Sequence, residues 1–182
     1  MLEIKFSGRG GQGVVLAANL LGLSFFKAGM YPQGYSVYGG ERRGAPVVGF
    51  LRVDKKKILH KCEIRKPGTL IYIDDSLFDA DEARSLIKPG GTILINSAKT
   101  VEQLGDLRGF RVGQLDAVAI SDSVGLGKMT NTILLGAYCR LTGQPGLDHL
   151  LEAMVEMVPA KTQVNQQAAK LAFDAVKITE AA

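Results

Sequence analysis

The residues best suited to chemistry lie in a short glycine-rich segment near the start of the chain. Segment 7–13 reads SGRGGQG, and its glycines are Gly8, Gly10, Gly11 and Gly13. Residues without a Cβ adopt positive φ angles readily and let a ligand approach backbone N–H groups. At the positive end of a helix dipole, such groups bind phosphate. The segment therefore predicts a phosphate cradle, to which Arg9 adds a cation and Gln12 adds a side-chain amide.

A second polar segment, 38–44, reads YGGERRG and directly precedes a predicted strand. The guanidinium groups of Arg42 and Arg43 bind phosphate or carboxylate through paired hydrogen bonds, and Gly44 leaves room for backbone amides to join them. An arginine-rich turn suits a subunit interface equally well, with Glu41 paired to one of the arginines. The sequence leaves both roles open.

The spacing of Gly8, Gly10 and Gly13 also matches the GxGxxG pattern of dinucleotide-binding folds. Such a site requires an Asp or Glu about 20 residues further on, which holds the ribose hydroxyls. Residues 4–40 contain no carboxylate, and this argues against a dinucleotide. Two plainer alternatives remain, a tight subunit contact and a close turn between a strand and a helix.

Three tyrosines, Tyr31, Tyr35 and Tyr38, precede the arginine segment. Aromatic rings interleaved with arginine stack on the bases of single-stranded nucleic acid in some proteins. No recognisable RNA-binding module surrounds these residues. We therefore expect no nucleic-acid partner.

The inventory of metal-ligating residues is small. The chain has two cysteines, Cys62 and Cys139, and two histidines, His60 and His149, with no CxxC, HxxxH or HExxH spacing. This pattern predicts neither a metal site nor an iron-sulfur cluster within the chain. Free thiols fit a reducing compartment, and no apolar run approaches the length of a membrane span. We expect a cytoplasmic protein that does not contact a membrane.

Charge is distributed unevenly along the chain. Residues 1–66 carry 12 Lys and Arg against 4 Asp and Glu, a net charge of +8, whereas the remainder carries a net charge of −4. A positive field concentrated near the N-terminus favours a polyanionic ligand, whether a nucleotide, a nucleic acid or an acidic protein surface.

The elements around these motifs predict an α/β fold. A strand over 2–6, the glycine segment and a helix over 14–28 come first, and apolar strands alternate with helices from residue 70 onward. This alternation indicates a Rossmann-like, mainly parallel sheet flanked by helices. Helices predicted over 131–141, 147–157 and 163–178 form a C-terminal helical cluster. No linker divides the chain, so we expect one domain over residues 1–182.

Two further polar positions follow predicted strands or loops. Asp74 and Asp75 come at the end of a strand, where capping of the following turn is a simpler role than acid catalysis. Segment 125–130 reads GLGKMT and fails the pattern of a nucleoside-triphosphate loop. It instead delivers Lys128 toward an anion and places Thr130 or Asn131 as the cap of a helix.

The two N-terminal motifs together resemble a known family. GRGGQG at 8–13 and YGGERRGAPVVGFLRV at 38–53 are similar to the gamma subunit of the 2-oxoacid:ferredoxin oxidoreductases, most closely the pyruvate branch. The resemblance implies one subunit of an enzyme that oxidatively decarboxylates a 2-oxoacid, forms the acyl-CoA and passes electrons through iron-sulfur clusters to ferredoxin. A gamma subunit acting on 2-oxoglutarate or a branched-chain 2-oxoacid is an alternative, as is a stand-alone nucleotide-binding module.

The resemblance also implies where the cofactors lie. Thiamine diphosphate, Mg²⁺ and the iron-sulfur clusters would reside in partner subunits of the alpha, beta and delta types, and this chain would hold no catalytic residue. The chain would bind part of coenzyme A, with phosphate received by the backbone N–H groups of residues 10–13. The candidate cofactor-binding residues are Gly8, Arg9, Gly10, Gly11, Gln12, Gly13, Arg42, Arg43 and Gly44.

Overall fold

The computed structural model describes residues 1–38, 44–60 and 62–180. The strands in these ranges are β1 (Leu2–Arg9), β2 (Tyr31–Tyr38), β3 (Pro46–Asp54), β4 (Thr69–Tyr72), β5 (Thr92–Asn96), β6 (Arg111–Leu115) and β7 (Lys177–Thr179). The helices are α1 (Val14–Lys27), α2 (Ala80–Leu86), α3 (Val101–Leu104), α4 (Ala117–Ser123), α5 (Asn131–Thr142), α6 (Leu147–Met157) and α7 (Thr162–Ala175). A single turn of 3-10 helix, Asp75–Leu77, follows β4.

The strands form one sheet in the order β2-β3-β1-β4-β5-β6-β7. The four central strands β1, β4, β5 and β6 run parallel to one another. On one side β3 and β2 continue the sheet in antiparallel register, and on the other side β7 pairs antiparallel with β6. The predicted α/β class is confirmed, with the parallel pairing confined to the centre. The carboxyl ends of the parallel strands consequently share one edge of the sheet.

Both faces of the central sheet are covered, and β4 shows why. Successive side chains of a strand point to opposite faces, so a strand made only of apolar residues needs cover on both sides. Leu70 and Tyr72 of β4 pack with Ala83 of α2 on one face. Ile71 belongs to the core on the other face, which contains residues of α1, α5, α6 and α7. The predicted C-terminal helical cluster therefore packs on the sheet.

Two edge strands are absent from the sequence-based expectation. The sequence analysis singles out Tyr31, Tyr35 and Tyr38 only as aromatic residues before the arginine segment. Residues 31–38 in fact form β2, where the ring of Tyr35 stacks on Phe50 of β3 with centroids 4.8 Å apart. The helix predicted over 163–178 was too long. It ends at Ala175 because Val176 adopts extended backbone angles, and the chain then adds β7 to the sheet.

Within the described parts of the chain, no helix combines the length and the apolar character needed to cross a lipid bilayer.

Candidate ligand-binding site

A cleft of about 880 Å³ opens at the carboxyl edge of the parallel strands. Open α/β sheets bind ligands at this edge, where loops and helix N-termini converge. The polar residues that line the cleft are Gly10, Gly11, Gln12, Asp74, Asp75, Asn96, Ser97, Asp116, Lys128 and Thr130. They come from the last residue of β5, from the segments that follow β1, β4, β5 and β6, and from the segment that precedes α5.

The glycine segment makes the tight connection from β1 to α1. A Cβ at Gly8 would approach Cγ2 of Val14 to 2.7 Å, so the start of the helix packs directly against the strand backbone. Gly13 adopts a φ of 73°, and a Cβ there would overlap the side-chain amide of Asn131 at the start of α5. The structural role expected for these glycines is therefore present at both positions. It does not exclude ligand binding by the amides between them.

The four predicted phosphate-binding amides are not equivalent. The Gly10 N–H donates to the carbonyl of Ala45 at 2.8 Å, and the Gln12 N–H donates to the carbonyl of Arg9 at 3.0 Å. Among the described residues, no acceptor is present for the N–H groups of Gly11 or Gly13. A Cβ at Gly11 would meet no atom of the described residues within 4 Å. The Gly11 backbone is thus open to a ligand, whereas the Gly10 and Gln12 amides stabilise the loop.

Arg9 and Gln12 converge on Asp74, which directly follows β4. Gln12 Nε2 donates to Asp74 Oδ2 at 2.7 Å, and Arg9 Nε lies 3.3 Å from the same oxygen. Arg9 Nη2 also donates to Ser76 Oγ at 2.8 Å. Arg9 Nη1 donates to the carbonyl of Gly44 as well, so three of the five guanidinium N–H groups have acceptors within the chain. Arg9 is consequently a brace with spare donors and not a free cation.

Hydrogen bonds keep Asp74 ionised. Burial alone would raise the pKa of this carboxyl, but hydrogen bonds from Ser76 and Gln12, together with the charge of Arg9, outweigh burial and hold the pKa below its usual range. The carboxylate also accepts from the Ser76 N–H at 3.0 Å and caps the short 3-10 turn, as the sequence analysis predicts. The additional bonds from the glycine segment escaped that analysis.

Gly44, shortly before β3, lies at the same edge of the sheet. Gly44 has a φ of 88°, its N–H donates to the carbonyl of Gly10 at 3.2 Å, and its carbonyl accepts from Arg9 Nη1 at 3.2 Å. Gly44 therefore lies beside the glycine segment, as the predicted site requires. Arg42 and Arg43, the other predicted residues of segment 38–44, lie outside the described residues.

The opposite wall of the cleft is the start of α5. Thr130 occupies the N-cap position, but neither its side chain nor that of Asn131 caps the helix, so that expectation was wrong. Asn131 Nδ2 instead donates to the carbonyl of Gly13 at 3.2 Å. The sequence near α5 does not reveal this bond, because the Asn131 amide reaches the residue directly before α1.

Asn96, at the end of β5, is a residue that sequence reasoning missed. Its side chain is nearly buried, Nδ2 donates to the carbonyl of Ile73 at 2.9 Å, and Oδ1 accepts from the Ala117 N–H at 2.9 Å. The amide ties the floor of the cleft to α4. The one signal that the sequence offered for Asn96 was its position as a polar residue at the end of an apolar strand.

Comparison with known proteins gives consistent relationships. A family model described as pyruvate ferredoxin/flavodoxin oxidoreductase matches residues 3–175. A relative from Thermococcus kodakarensis, named pyruvate/ketoisovalerate oxidoreductases common subunit gamma, is 39% identical over 185 residues, which cover 99% of this chain and 100% of the relative.

Solved structures share the fold. The crystal structure of pyruvate oxidoreductase subunit PORC from Thermotoga maritima matches with a TM-score of 0.85 and 27% identity, covering 98% of each chain. A 2-oxoglutarate:ferredoxin oxidoreductase from Magnetococcus marinus matches with a TM-score of 0.78 and 16% identity, covering 98% of this chain and 32% of that one. The latter likeness concerns the fold alone. Because the family model and the Thermococcus relative both extend over nearly the whole chain, the predicted resemblance is confirmed, and the chain belongs to the pyruvate ferredoxin/flavodoxin oxidoreductase family.

Proposed function

We propose that this chain is the gamma subunit of a multi-subunit, pyruvate-type 2-oxoacid:ferredoxin oxidoreductase and that its cleft binds part of coenzyme A. The relatives carry names of gamma or PorC subunits of pyruvate oxidoreductases, which favours pyruvate over 2-oxoglutarate as the substrate of the complex. Matches over the full length of named subunits also favour a complex over a stand-alone nucleotide-binding module.

The observation that carries the CoA assignment is the pair of backbone amides, at Gly11 and Gly13, that have no acceptor among the described residues. Both amides lie at the N-terminal end of α1, a helix of 14 residues, and Gly11 lines a cleft of about 880 Å³. A ligand phosphate there would accept hydrogen bonds from amides that have no acceptor among the described residues and would meet the positive end of the helix dipole. The volume falls within the range of about 300–1,000 Å³ that is usual for small-molecule sites.

The partners follow from the family resemblance. Thiamine diphosphate, Mg²⁺ and iron-sulfur clusters are assigned to alpha, beta and delta-type subunits, and ferredoxin meets the complex through them. Arg42 and Arg43 are assigned to the CoA phosphates or to a subunit interface. The cytoplasm is the proposed location, where the free thiols of Cys62 and Cys139 remain reduced.

The test is a matched pair of glycine variants in the assembled oxidoreductase. Gly11→Ala places a methyl group where the ligand would approach, and Gly29→Ala introduces a methyl group in a turn after α1. Both glycines have positive φ angles, 96° and 78°, and open space around a Cβ, so both variants carry similar backbone strain of about 1–2 kcal/mol. We expect the KM for CoA to rise about tenfold in Gly11→Ala only, a change equivalent to about 1.4 kcal/mol.

The KM for the 2-oxoacid should remain unchanged in both variants, because that substrate reacts on thiamine in a partner subunit. Native mass spectrometry would verify that each variant still assembles with its larger partners. Equal KM values for CoA in Gly11→Ala and Gly29→Ala, with assembly intact, would contradict the proposed CoA site. A chain that copurifies with no larger partner would contradict the subunit assignment.

A further inference from the structure

The N-termini of two long helices meet at the cleft. α1 begins after Gly13, α5 begins after Thr130, and the bond from Asn131 Nδ2 to the Gly13 carbonyl joins the two starts. The N–H groups of a first helical turn have no intrahelical acceptor and carry the positive end of the helix dipole. The two helix starts therefore present donors to the same space from different walls.

The hydroxyl of Thr130 is the second feature of this wall. The residue is only 6% exposed and lines the cleft, yet its side chain makes no hydrogen bond with any described residue. The hydroxyl oxygen remains accessible from the cleft. A ligand bound there would therefore accept a hydrogen bond from it.

Lys128 supplies a cation at the same place. Its side chain is exposed, lines the cleft and has no hydrogen-bond or ion-pair partner among the described residues. The loop that carries it is held from two sides, since Ser121 Oγ donates to the carbonyl of Gly127 at 2.7 Å and Lys161 Nζ donates to the carbonyl of Gly125 at 2.8 Å. This bracing fixes the backbone from which the ammonium group extends.

None of the described carboxylates that line the cleft forms an ion pair with Lys128. Asp74 is engaged by the glycine segment, Asp75 Oδ2 accepts from Ser97 Oγ at 2.8 Å, and Asp116 Oδ1 accepts from the Ala119 N–H at 2.9 Å. These hydrogen bonds hold each carboxylate in place and leave its charge unchanged. Lys128 has no such partner among the described residues and stays available to an anion.

We propose that Lys128, the Thr130 hydroxyl and the first-turn amides of α5 form a second phosphoryl-binding subsite, across the cleft from the glycine segment. The inference rests on the proposed function, because CoA carries two separate phosphate-bearing positions, a diphosphate and a 3′-phosphate. One group binds at Gly11 and Gly13, and the other binds at Thr130 and Lys128. The ligand is therefore held between the starts of α1 and α5.

The experiment compares three variants of the assembled oxidoreductase by equilibrium binding of CoA and by KM for CoA. Lys128→Met removes the cation, and Thr130→Val removes the hydroxyl while keeping the shape of the side chain. Lys170→Met, on the exposed surface of α7 and outside the cleft, removes the same charge as a control. We expect CoA affinity to fall about tenfold in each of the first two variants and to stay unchanged in the third.

Dephospho-CoA, which lacks the 3′-phosphate, identifies the bound group. If the subsite holds the 3′-phosphate, the first two variants bind dephospho-CoA as the unmodified enzyme does. If it holds the diphosphate, they lose affinity for both ligands to the same extent. Either result supports a phosphoryl subsite.

Several results would overturn the inference. CoA affinity that is unchanged in Lys128→Met or Thr130→Val would do so, as would an equal loss of CoA affinity in Lys170→Met. A lowered unfolding midpoint for Thr130→Val would do so as well, because it would show that the hydroxyl stabilises the fold. If Gly11→Ala still weakens CoA binding, the proposed function stands without the second subsite. If Gly11→Ala also has no effect, the proposed CoA site itself is wrong.

Discussion

The two edges of the parallel sheet use charge in opposite ways. At the amino edge, a cavity of about 300 Å³ is bordered by Glu3, which accepts from Arg52 Nε at 3.2 Å and from Lys88 Nζ at 2.7 Å. Arg52 is only 2% exposed. At the carboxyl edge, Lys128 and the Gly11 amide have no partner among the described residues. The charges of Glu3 and Arg52 are paired and stabilise the fold, whereas the carboxyl edge keeps available donors beside the Arg9–Asp74 pair, and these suit a ligand.

The largest effect is expected from breaking the ion pair at the amino edge. Glu3→Ala leaves the guanidinium of Arg52 buried without its carboxylate, and loss of one partner of a buried pair costs about 3–5 kcal/mol. Denaturant unfolding of the chain should show this loss, while the KM for CoA in the surviving assembled enzyme stays unchanged. A raised KM for CoA without a loss of stability would reverse the roles assigned to the two edges.

A smaller loss of stability is expected at Gly13. Gly13→Ala forces an alanine into a left-handed conformation, at about 1–2 kcal/mol, and pushes a methyl group against Asn131, at a further 1–3 kcal/mol or so. Unlike the change at Glu3, this one also moves a proposed ligand-binding amide. Thermal unfolding should show reduced stability and binding assays should show reduced CoA affinity. Unchanged CoA affinity in folded Gly13→Ala enzyme would remove Gly13 from the site.

The next effect concerns the brace between β4 and the glycine segment. Asp74→Asn removes the charge that holds Arg9 and Gln12, and a hydrogen bond to a charged group contributes about 1.5–3 kcal/mol. We expect the KM for CoA to rise several-fold while the kcat at saturating CoA changes little, since Asp74 positions the loop. A fall in kcat with an unchanged KM for CoA would instead indicate a role in the reaction.

The smallest effect is a change in the pH dependence of stability. Burial would raise the pKa of Glu3, but the hydrogen bonds from Lys88 and Arg52 lower the pKa on balance. The ionised Glu3 carboxylate therefore stabilises the fold above the ordinary glutamate pKa of about 4.3, and this contribution is lost as pH falls through the lowered pKa. Between about pH 5 and pH 3, the free energy of unfolding should therefore fall more steeply with decreasing pH for the unmodified chain than for Glu3→Gln. Parallel curves would show that Glu3 does not titrate with an altered pKa.

The sequence predicts most of the central architecture because local patterns determine it. The strand, glycine segment and helix over residues 2–28 follow from apolar periodicity and glycine placement. β2 escapes prediction because Pro32 and Gly34 interrupt its pattern and its pairing with β3 stabilises it. β7 has three residues and exists through its contact with β6.

The site is predictable only in part for the same reason. Local composition identifies the glycine segment and Lys128. The bonds from Arg9 and Gln12 to Asp74 depend on β4 lying beside β1, which only the sheet order reveals. The bond from Asn131 Nδ2 to the Gly13 carbonyl likewise depends on the contact between the starts of α1 and α5, and no local signal distinguishes Asn131 from an ordinary helix cap.

Hydrogen–deuterium exchange of the assembled oxidoreductase, with and without CoA, tests the central claim most directly. The account predicts that CoA slows exchange in peptides spanning residues 9–16 and 128–134, at the starts of α1 and α5, and leaves peptides spanning residues 86–92 at the amino edge unchanged. Protection of the amino edge, or an unchanged exchange rate at residues 9–16 with CoA bound, would contradict it.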